Sequence, residues 1–259
     1  MSATKVIIIG ANGRMGRALI DAVSENPAFE LTGACDLAPL ALPGGVAQGK
    51  SLAEALDLGA SGVAIDFTAP EASLASAKTA AERGVKMVVG TTGFDARQRE
   101  TLGALARQTA ILWSANMSVG VNVLARLLPW LAKTLGQAYD MEIVETHHRL
   151  KKDAPSGTAL MLAEALAEAR GWDLEEARLS CRDGQIGRRP LKEIGVMALR
   201  GGDVAGIHDC YFLGPGEIIE VKHIAESRAN FASGALRAAA WLQDKPGGSL
   251  YSMRDVLMD

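Results

Sequence analysis

Cysteine is scarce and scattered. The three that occur, Cys35, Cys181 and Cys210, form no CxxC pair, which speaks against a disulfide framework and a cysteine-built zinc site, and for a reducing compartment. No other metal site emerges, because the adjacent pair His147-His148 has no third ligand at useful spacing. Long apolar runs are missing as well. Residues 1 to 5 lead at once into the short run Val6 to Ile9 and then Gly10, too short for a membrane span and without signal-peptide flanks. A cytoplasmic protein with no membrane attachment is expected. A surplus of positive charge is also absent. With 27 Lys and Arg against 30 Asp and Glu, the formal net charge is −3, which argues against nucleic acid or an anionic membrane as a general partner. Any anion must be held by a local cluster.

What is present is a large apolar fraction, 48% of 259 residues, enough for one large domain or two. The β-branched run Val6 to Ile9 feeds Gly10-Ala11-Asn12-Gly13-Arg14-Met15-Gly16, after which Met15, Leu19, Ala22 and Val23 recur at helical spacing. Strand, glycine turn and helix together form the context in which such glycines bend the chain, admit a pyrophosphate and let helix pack on strand. The spacing is GxxGxxG, and a tight turn without a ligand is the alternative. Asp36, about twenty residues beyond Gly16, stands after a second short strand where an acid hydrogen-bonds an adenosine ribose. An acid repels a 2′-phosphate, and Leu37 next to it is no cation. NAD is therefore expected over NADP.

Further strands are predicted at Val63 to Phe67, Lys86 to Val89 and Ile111 to Trp113, alternating with helices at Glu71 to Arg83 and from Asp95 to about Arg107. Pro39 to Gly49 reads as a loop and Ser51 to Leu58 as a short helix. This alternation means a doubly wound parallel sheet, α/β and Rossmann-like, with ligands at the carboxyl ends of its strands. Gly90, Thr91 and Thr92, and Ser114, Ala115, Asn116 and Met117, are placed there. Beyond Ser118 the pattern changes. A helix to about Leu135 contains Pro129, where a kink or a fresh start is expected. Strand-like runs then dominate: Met141 to Thr146, Leu179 to Arg182, Ile194 to Leu199, His208 to Leu213 and Glu217 to Ile224. Gly214-Pro215-Gly216 has the form of a hairpin loop. The expected division is a dinucleotide-binding domain, 1–117, to which 229–259 return, and an α+β domain on a mixed sheet, 118–228, for substrate and oligomer contacts.

Chemistry is concentrated between Glu145 and Ala159. Ser156 reads as the N-cap of a helix with Ala159, Leu162, Ala163, Leu166 and Ala167 on one face, so Gly157 and Thr158 form its first turn. Such a start attracts a carboxylate or phosphate through its N–H groups and dipole. Arg149, Lys151 and Lys152 add charge just upstream, and His147 and His148 are suited to proton transfer near neutrality. The expected guest is a small anion that exchanges a proton. If the preceding strand ran on, the two histidines would point to opposite faces, and only one would line the site unless the backbone turned. The polar stretch Arg200 to His208 reads as a substrate loop or a plain connection. His208 and His223, in strand-like runs, favour packing or surface roles.

With these stretches assembled, the chain resembles the dihydrodipicolinate reductase family along essentially its whole length. The resemblance rests on the glycine turn, Gly90-Thr-Thr-Gly-Phe94, Ser118-Val-Gly-Val-Asn122, Glu145-Thr-His-His148, Lys151-Lys-Asp-Ala-Pro-Ser-Gly-Thr158, Arg200-Gly-Gly-Asp203 and the tail from Ser227-Arg228 to Trp241-Leu242. It implies reduction of 4-hydroxy-tetrahydrodipicolinate to tetrahydrodipicolinate by NAD(P)H in the diaminopimelate route to lysine. It further implies that Gly10 to Met15 hold the pyrophosphate, Asp36 the ribose, and Gly90 to Thr92 with Ser114 to Met117 the nicotinamide half. His147 becomes the acid/base residue, Lys151 a proton donor, His148 a substrate ligand, and Gly157 with Thr158 the grip on a substrate carboxylate. Family members that use NADP well often carry a base after the ribose acid; Leu37 departs from this, so NADH is expected to be preferred. A cytoplasmic homotetramer built through the second domain's sheet is implied too. Two other readings remain at this point: an NAD-dependent dehydrogenase of aspartate or a related small dicarboxylate, and a dinucleotide-sensing binding protein with a degenerate site.

Overall fold

The structure, a computed structural model, describes residues 2–258. It divides into two units, one formed by the chain up to Val119 together with Arg228 onward, the other by Gly120–Ser227.

The first unit begins with β1 (Thr4–Ile9), α1 (Arg14–Ser24), β2 (Phe29–Cys35), β3 (Ala47–Gly49), α2 (Leu52–Asp57), β4 (Val63–Asp66), α3 (Pro70–Arg83), β5 (Met87–Val89), α4 (Ala96–Leu105) and β6 (Ile111–Trp113). β3 is a finding against the loop expected over Pro39 to Gly49: three residues pair with Gly33 to Cys35 and extend the sheet edge. Period-2 alternation splits β1 between two cores. Val6 and Ile8 pack into one cluster and Ile7 and Ile9 into another, all at most 7% exposed, as expected for a strand covered on both faces. Helix ends follow local chemistry. Pro70 opens α3 and Gly84, at φ 67, closes it, while Asp95 and Gln98 form a reciprocal capping box at α4.

The second unit is reached through α5 (Val119–Leu135), which runs unbroken through Pro129 rather than restarting there. A buried stripe on both sides of the proline, Val121, Leu124, Leu128 and Ala132, holds it, and each fully buried leucine contributes roughly 1.5–3 kcal/mol. Next come β7 (Asp140–His147), α6 (Gly157–Arg170), α7 (Leu174–Ala177), β8 (Arg178–Leu179), β9 (Ile194–Arg200), β10 (Gly206–Gly214) and β11 (Glu217–Ala225). β8 is shorter than the run expected to Arg182, whose side chain pairs with Glu142 and Glu193, at 2.7 Å each. The five strands lie in the order β11-β10-β7-β9-β8, antiparallel on one side of β7 and parallel on the other. Pro215 and Gly216, the latter at φ 85, turn β10 into β11.

The chain then re-enters the first unit with α8 (Ala229–Leu242), β12 (Leu250–Tyr251) and α9 (Met253–Val256). β12 completes a seven-stranded parallel sheet in the order β12-β6-β5-β4-β1-β2-β3. Close packing of α8 requires Gly234, since a Cβ there would strike the Met117 carbonyl. Among the described residues no helix is long and apolar enough to cross a membrane.

Candidate active site

In the first unit the glycine turn sits where β1 ends. Gly10 adopts φ +75, a region L-residues avoid. Gly16 lies so close beneath the turn that a Cβ would collide with the Gly10 carbonyl and lie 2.7 Å from Ala11 Cα. Asp36 closes the turn from the end of β2: its carboxylate accepts the Asn12 N–H at 2.9 Å and the Ala38 N–H at 3.1 Å. Partial burial pushes the Asp36 pKa up, but the hydrogen bonds from Ala38 and Asn12 outweigh it, so the carboxyl lies below its ordinary value. It is an anion at neutral pH. Beside it opens a cavity of about 370 Å³ lined by Gly10, Asp36, Leu37, Lys50 and Thr68, with Cys35 in its wall. Burial pushes the Cys35 thiol up to about 12, so it acts as apolar surface, not as a nucleophile. Open backbone at Gly10, an acid at the rim and a cavity at strand carboxyl ends suit the ribose half of a dinucleotide.

The remaining first-unit candidates divide by side-chain exposure. Arg14 and Gly13 are exposed, Asn12 and Met15 half-buried, and Ala11 fully inside. Thr92 and Ala115 face out, whereas Met117 and Thr91 are buried. The Thr91 hydroxyl is 2.7 Å from the Ser73 hydroxyl, and its carbonyl accepts the Trp113 indole N–H at 3.0 Å. These buried residues can meet a cofactor only with backbone atoms. Gly90 is needed because Phe67 occupies the place a Cβ would take. Ser114 and Asn116 shape the turn after β6, the Ser114 hydroxyl donating to the Asn116 carbonyl at 2.7 Å.

In the second unit β7 alternates buried and half-buried positions up to its last residue, so Glu145 and His147 share the inner face. The strand ends at His147. His148 is half-buried beyond it, its N–H donating to the Val204 carbonyl at 2.8 Å, and the Lys151 N–H then turns back to the His148 carbonyl. The backbone therefore does turn between the pair. Glu145 is fully buried and accepts four donors: His147 Nδ1 at 2.6 Å, the Ser156 N–H at 2.9 Å, and both terminal nitrogens of Arg200 at 2.7 Å. Burial would raise the Glu145 pKa, but Arg200, His147 and Ser156 pull it below its ordinary value. His147 is shifted down: burial dominates the attraction of Glu145, and Lys151 and Arg200 add repulsion. Lys151 is thus near enough to act on His147, and it pairs with Asp153 at 2.9 Å.

Ser156 caps α6 by accepting the Ala159 N–H at 3.1 Å, with His208 Nε2 3.2 Å from the same hydroxyl. Gly157 is exposed at the first helical position, with open space where a side chain would stand, and Thr158 follows, half-buried. A small anion can approach such a start closely. Three features escaped sequence reasoning as functional groups. Glu145 was signalled by its place two residues before His147, hence on the same strand face. Arg200 was visible only as the start of a polar, glycine-rich stretch, and its partner was not: β9 pairs it beside His147. The segment after it is bound to the histidine stretch by the Gly201 and Arg149 N–H groups and the Val204 carbonyl. Lys50 enters the Asp36 cavity from beyond β3.

A family model described as dihydrodipicolinate reductase, N-terminus, matches residues 4–117, and one described as dihydrodipicolinate reductase, C-terminus, matches residues 120–257. The 4-hydroxy-tetrahydrodipicolinate reductase of Desulfovibrio desulfuricans is 52% identical over 261 residues, covering 98% of this chain and 99% of its own length. A solved dipicolinate-bound dihydrodipicolinate reductase from a Paenisporosarcina species superposes with a TM-score of 0.80 at 22% identity, over 98% of this chain and 99% of that one. An aspartate dehydrogenase from Thermotoga maritima gives a TM-score of 0.51 at 16% identity, over 93% and 97% of the two chains. At such identities the two structural likenesses speak for the fold alone.

Proposed function

The chain belongs to the dihydrodipicolinate reductase family, and from that premise we propose that His147 and Lys151 handle protons on a substrate gripped by His148, Gly157 and Thr158. The reaction is the reduction of 4-hydroxy-tetrahydrodipicolinate with NAD(P)H, an oxidoreductase step of the diaminopimelate route to lysine. The first unit binds the cofactor through Gly10 to Met15, Asp36, Gly90 to Thr92 and Ser114 to Met117. The second binds the dicarboxylate. When bound, the nicotinamide supplies a hydride to C4 of the dehydrated substrate ring. The chain's own residues do the rest. Gly157 and Thr158 at the start of α6 take one carboxylate, His148 helps to fix the ring, Lys151 delivers the proton to C3, and His147 exchanges protons beside it. Fixing ring and donors in register removes much of the entropic barrier.

One observation carries this reading: the Glu145 carboxylate is hydrogen-bonded both to His147 and to the Ser156 N–H at the start of α6, so proton group and anion cradle are neighbours. The runner-up, a dehydrogenase of aspartate or a related dicarboxylate, does not require that adjacency. NADH is the preferred cofactor, because Asp36 is ionised at the rim of the ribose cavity and its exposed neighbour Leu37 is no cation, which leaves Lys50 as the cation lining that cavity. The protein works in the cytoplasm as a homotetramer. Leu199, Ile218 and Ile224, exposed by 54–63% on the open face of the second unit's sheet, support assembly through that face. The test is cofactor oxidation followed by absorbance while the preceding synthase generates substrate, with NADH and NADPH in parallel. His147→Gln is expected to cut turnover by roughly 10²- to 10⁴-fold with a smaller change in KM. Turnover near that of the wild type would remove His147 from the mechanism.

A further inference from the structure

Four N–H donors converge on one buried carboxylate that the reaction as described does not use. A lone structural ion pair would need only Arg200. Here Glu145 Oε2 takes His147 Nδ1 and one Arg200 nitrogen, while Oε1 takes the Ser156 N–H and the other. Arg200 is itself anchored, donating to the carbonyls of Asp153 at 2.6 Å and Leu199 at 2.7 Å. The carboxylate therefore cannot swing without breaking contacts on three segments.

We propose that Glu145 is the positioning residue of the proton-transfer step: clamped by Arg200, its carboxylate fixes the ring and tautomer of His147 and, by the same two oxygens, the start of α6. The inference rests on the assignment of His147 and Gly157 made above. An ionised carboxylate at Nδ1 requires that nitrogen to carry the hydrogen, which leaves Nε2 of the neutral ring as the atom that takes up or gives back a proton. Gly206 makes room for that edge, since a Cβ there would stand 3.0 Å from Nε2. Arg200 supplies the charge that keeps a carboxylate ionised in a site where its own burial favours the acid. The arrangement follows the logic by which a buried acid orients a catalytic histidine without being protonated itself. What this chain adds is the second duty. The oxygen facing Ser156 sets the cap of the helix whose first turn receives the substrate carboxylate, so the distance between proton group and anion is set by one side chain.

Glu145→Gln tests this with little change of shape. The amide oxygen can still accept from Ser156 and one Arg200 nitrogen, but the amide nitrogen then faces the other Arg200 nitrogen, which loses its acceptor, and His147 Nδ1, where it forces the ring hydrogen to Nε2. Selective 15N labelling of the four histidines reads that tautomer directly, with His147→Gln identifying the signal. Expected are a move of the His147 hydrogen from Nδ1 to Nε2, a fall in kcat of roughly 10²- to 10⁴-fold, and a substrate KM changed by less than about threefold. A folded Glu145→Gln protein with its turnover kept, or with Nδ1 still carrying the hydrogen, overturns the proposal. Should that variant fail to fold, Glu145→Asp decides, because it keeps the charge that balances Arg200 while withdrawing the carboxylate by one methylene. Lost kcat together with weaker substrate binding, as both contacts are withdrawn, supports the proposal, and unchanged kcat overturns it. If His147→Gln keeps full activity, the reading of His147 has failed; if only the Glu145 variants keep it, the positioning role alone has failed.

Discussion

Acidification should weaken this fold through one histidine. His208 is 4% exposed, and burial, with repulsion from His147, His223 and Lys151 against attraction from Glu145, brings its pKa from 6.5 down to about 4. The unfolded chain takes up that proton near the ordinary value, whereas the folded chain resists until about 4. Between these values the unfolded state holds more protons, so stability rises with pH and is lost as pH falls. At about 1.4 kcal/mol per pH unit of separation, the loss reaches roughly 3 kcal/mol below pH 4. Between pH 7 and pH 5 it amounts to about 2 kcal/mol, a large part of the margin by which a domain is folded. The assay is urea unfolding followed by tryptophan fluorescence at both pH values, at one protein concentration so that assembly adds equally. His208→Gln keeps a polar group near the Ser156 hydroxyl, now 3.2 Å from His208 Nε2, but cannot titrate. Its loss between pH 7 and pH 5 is expected to be smaller than that of the wild type by about 2 kcal/mol. His147 and His223, also shifted down by burial, titrate in both proteins, and the repulsion they share with His208 is already counted in the shift of His208. Equal losses in the two would refute the reasoning.

Asp36→Ala should raise the KM for NADH about tenfold and for NADPH less, since it removes a charged hydrogen-bond acceptor that also repels a 2′-phosphate; equal effects in parallel titrations would show that the acid does not discriminate. Gly206→Ala places a methyl 3.0 Å from His147 Nε2 and should lower turnover by up to roughly 10²-fold while the thermal midpoint stays nearly constant; unchanged turnover would mean that Nε2 is not the working atom. Gly16→Ala drives a Cβ into the turn, 2.7 Å from Ala11 Cα, and should cost about 1–3 kcal/mol in urea unfolding together with weaker NADH binding. A variant as stable as the wild type would show that the turn can move aside.

Much of the first unit was legible because its signals are local. The run Val6 to Ile9, the glycine turn and the caps at Gly84 and Asp95 each specify backbone within a few residues, and the structure places each as expected. Ser156 as cap of α6 belongs with them. β3 was missed because a three-residue edge strand takes its partners from Gly33 to Cys35, not from its own composition. Of the kink or fresh start expected at Pro129, the fresh start does not occur, because the buried stripe around the proline outweighs the loss of one hydrogen bond.

The amino-acid sequence by itself determined the class of fold, the glycine turn followed by an acid at Asp36, and the helix start at Ser156 soon after His147, because these depend on residue types at short spacing. Tertiary structure alone decided which groups act on one another. Arg200 reaches Glu145 across 55 residues, Ser156 meets His208 across 52, and Lys50 joins the Asp36 cavity from another strand. Charges and hydrogen bonds act through space, and a distance of 2.7 Å between residues far apart in the chain exists only once strands have found their neighbours.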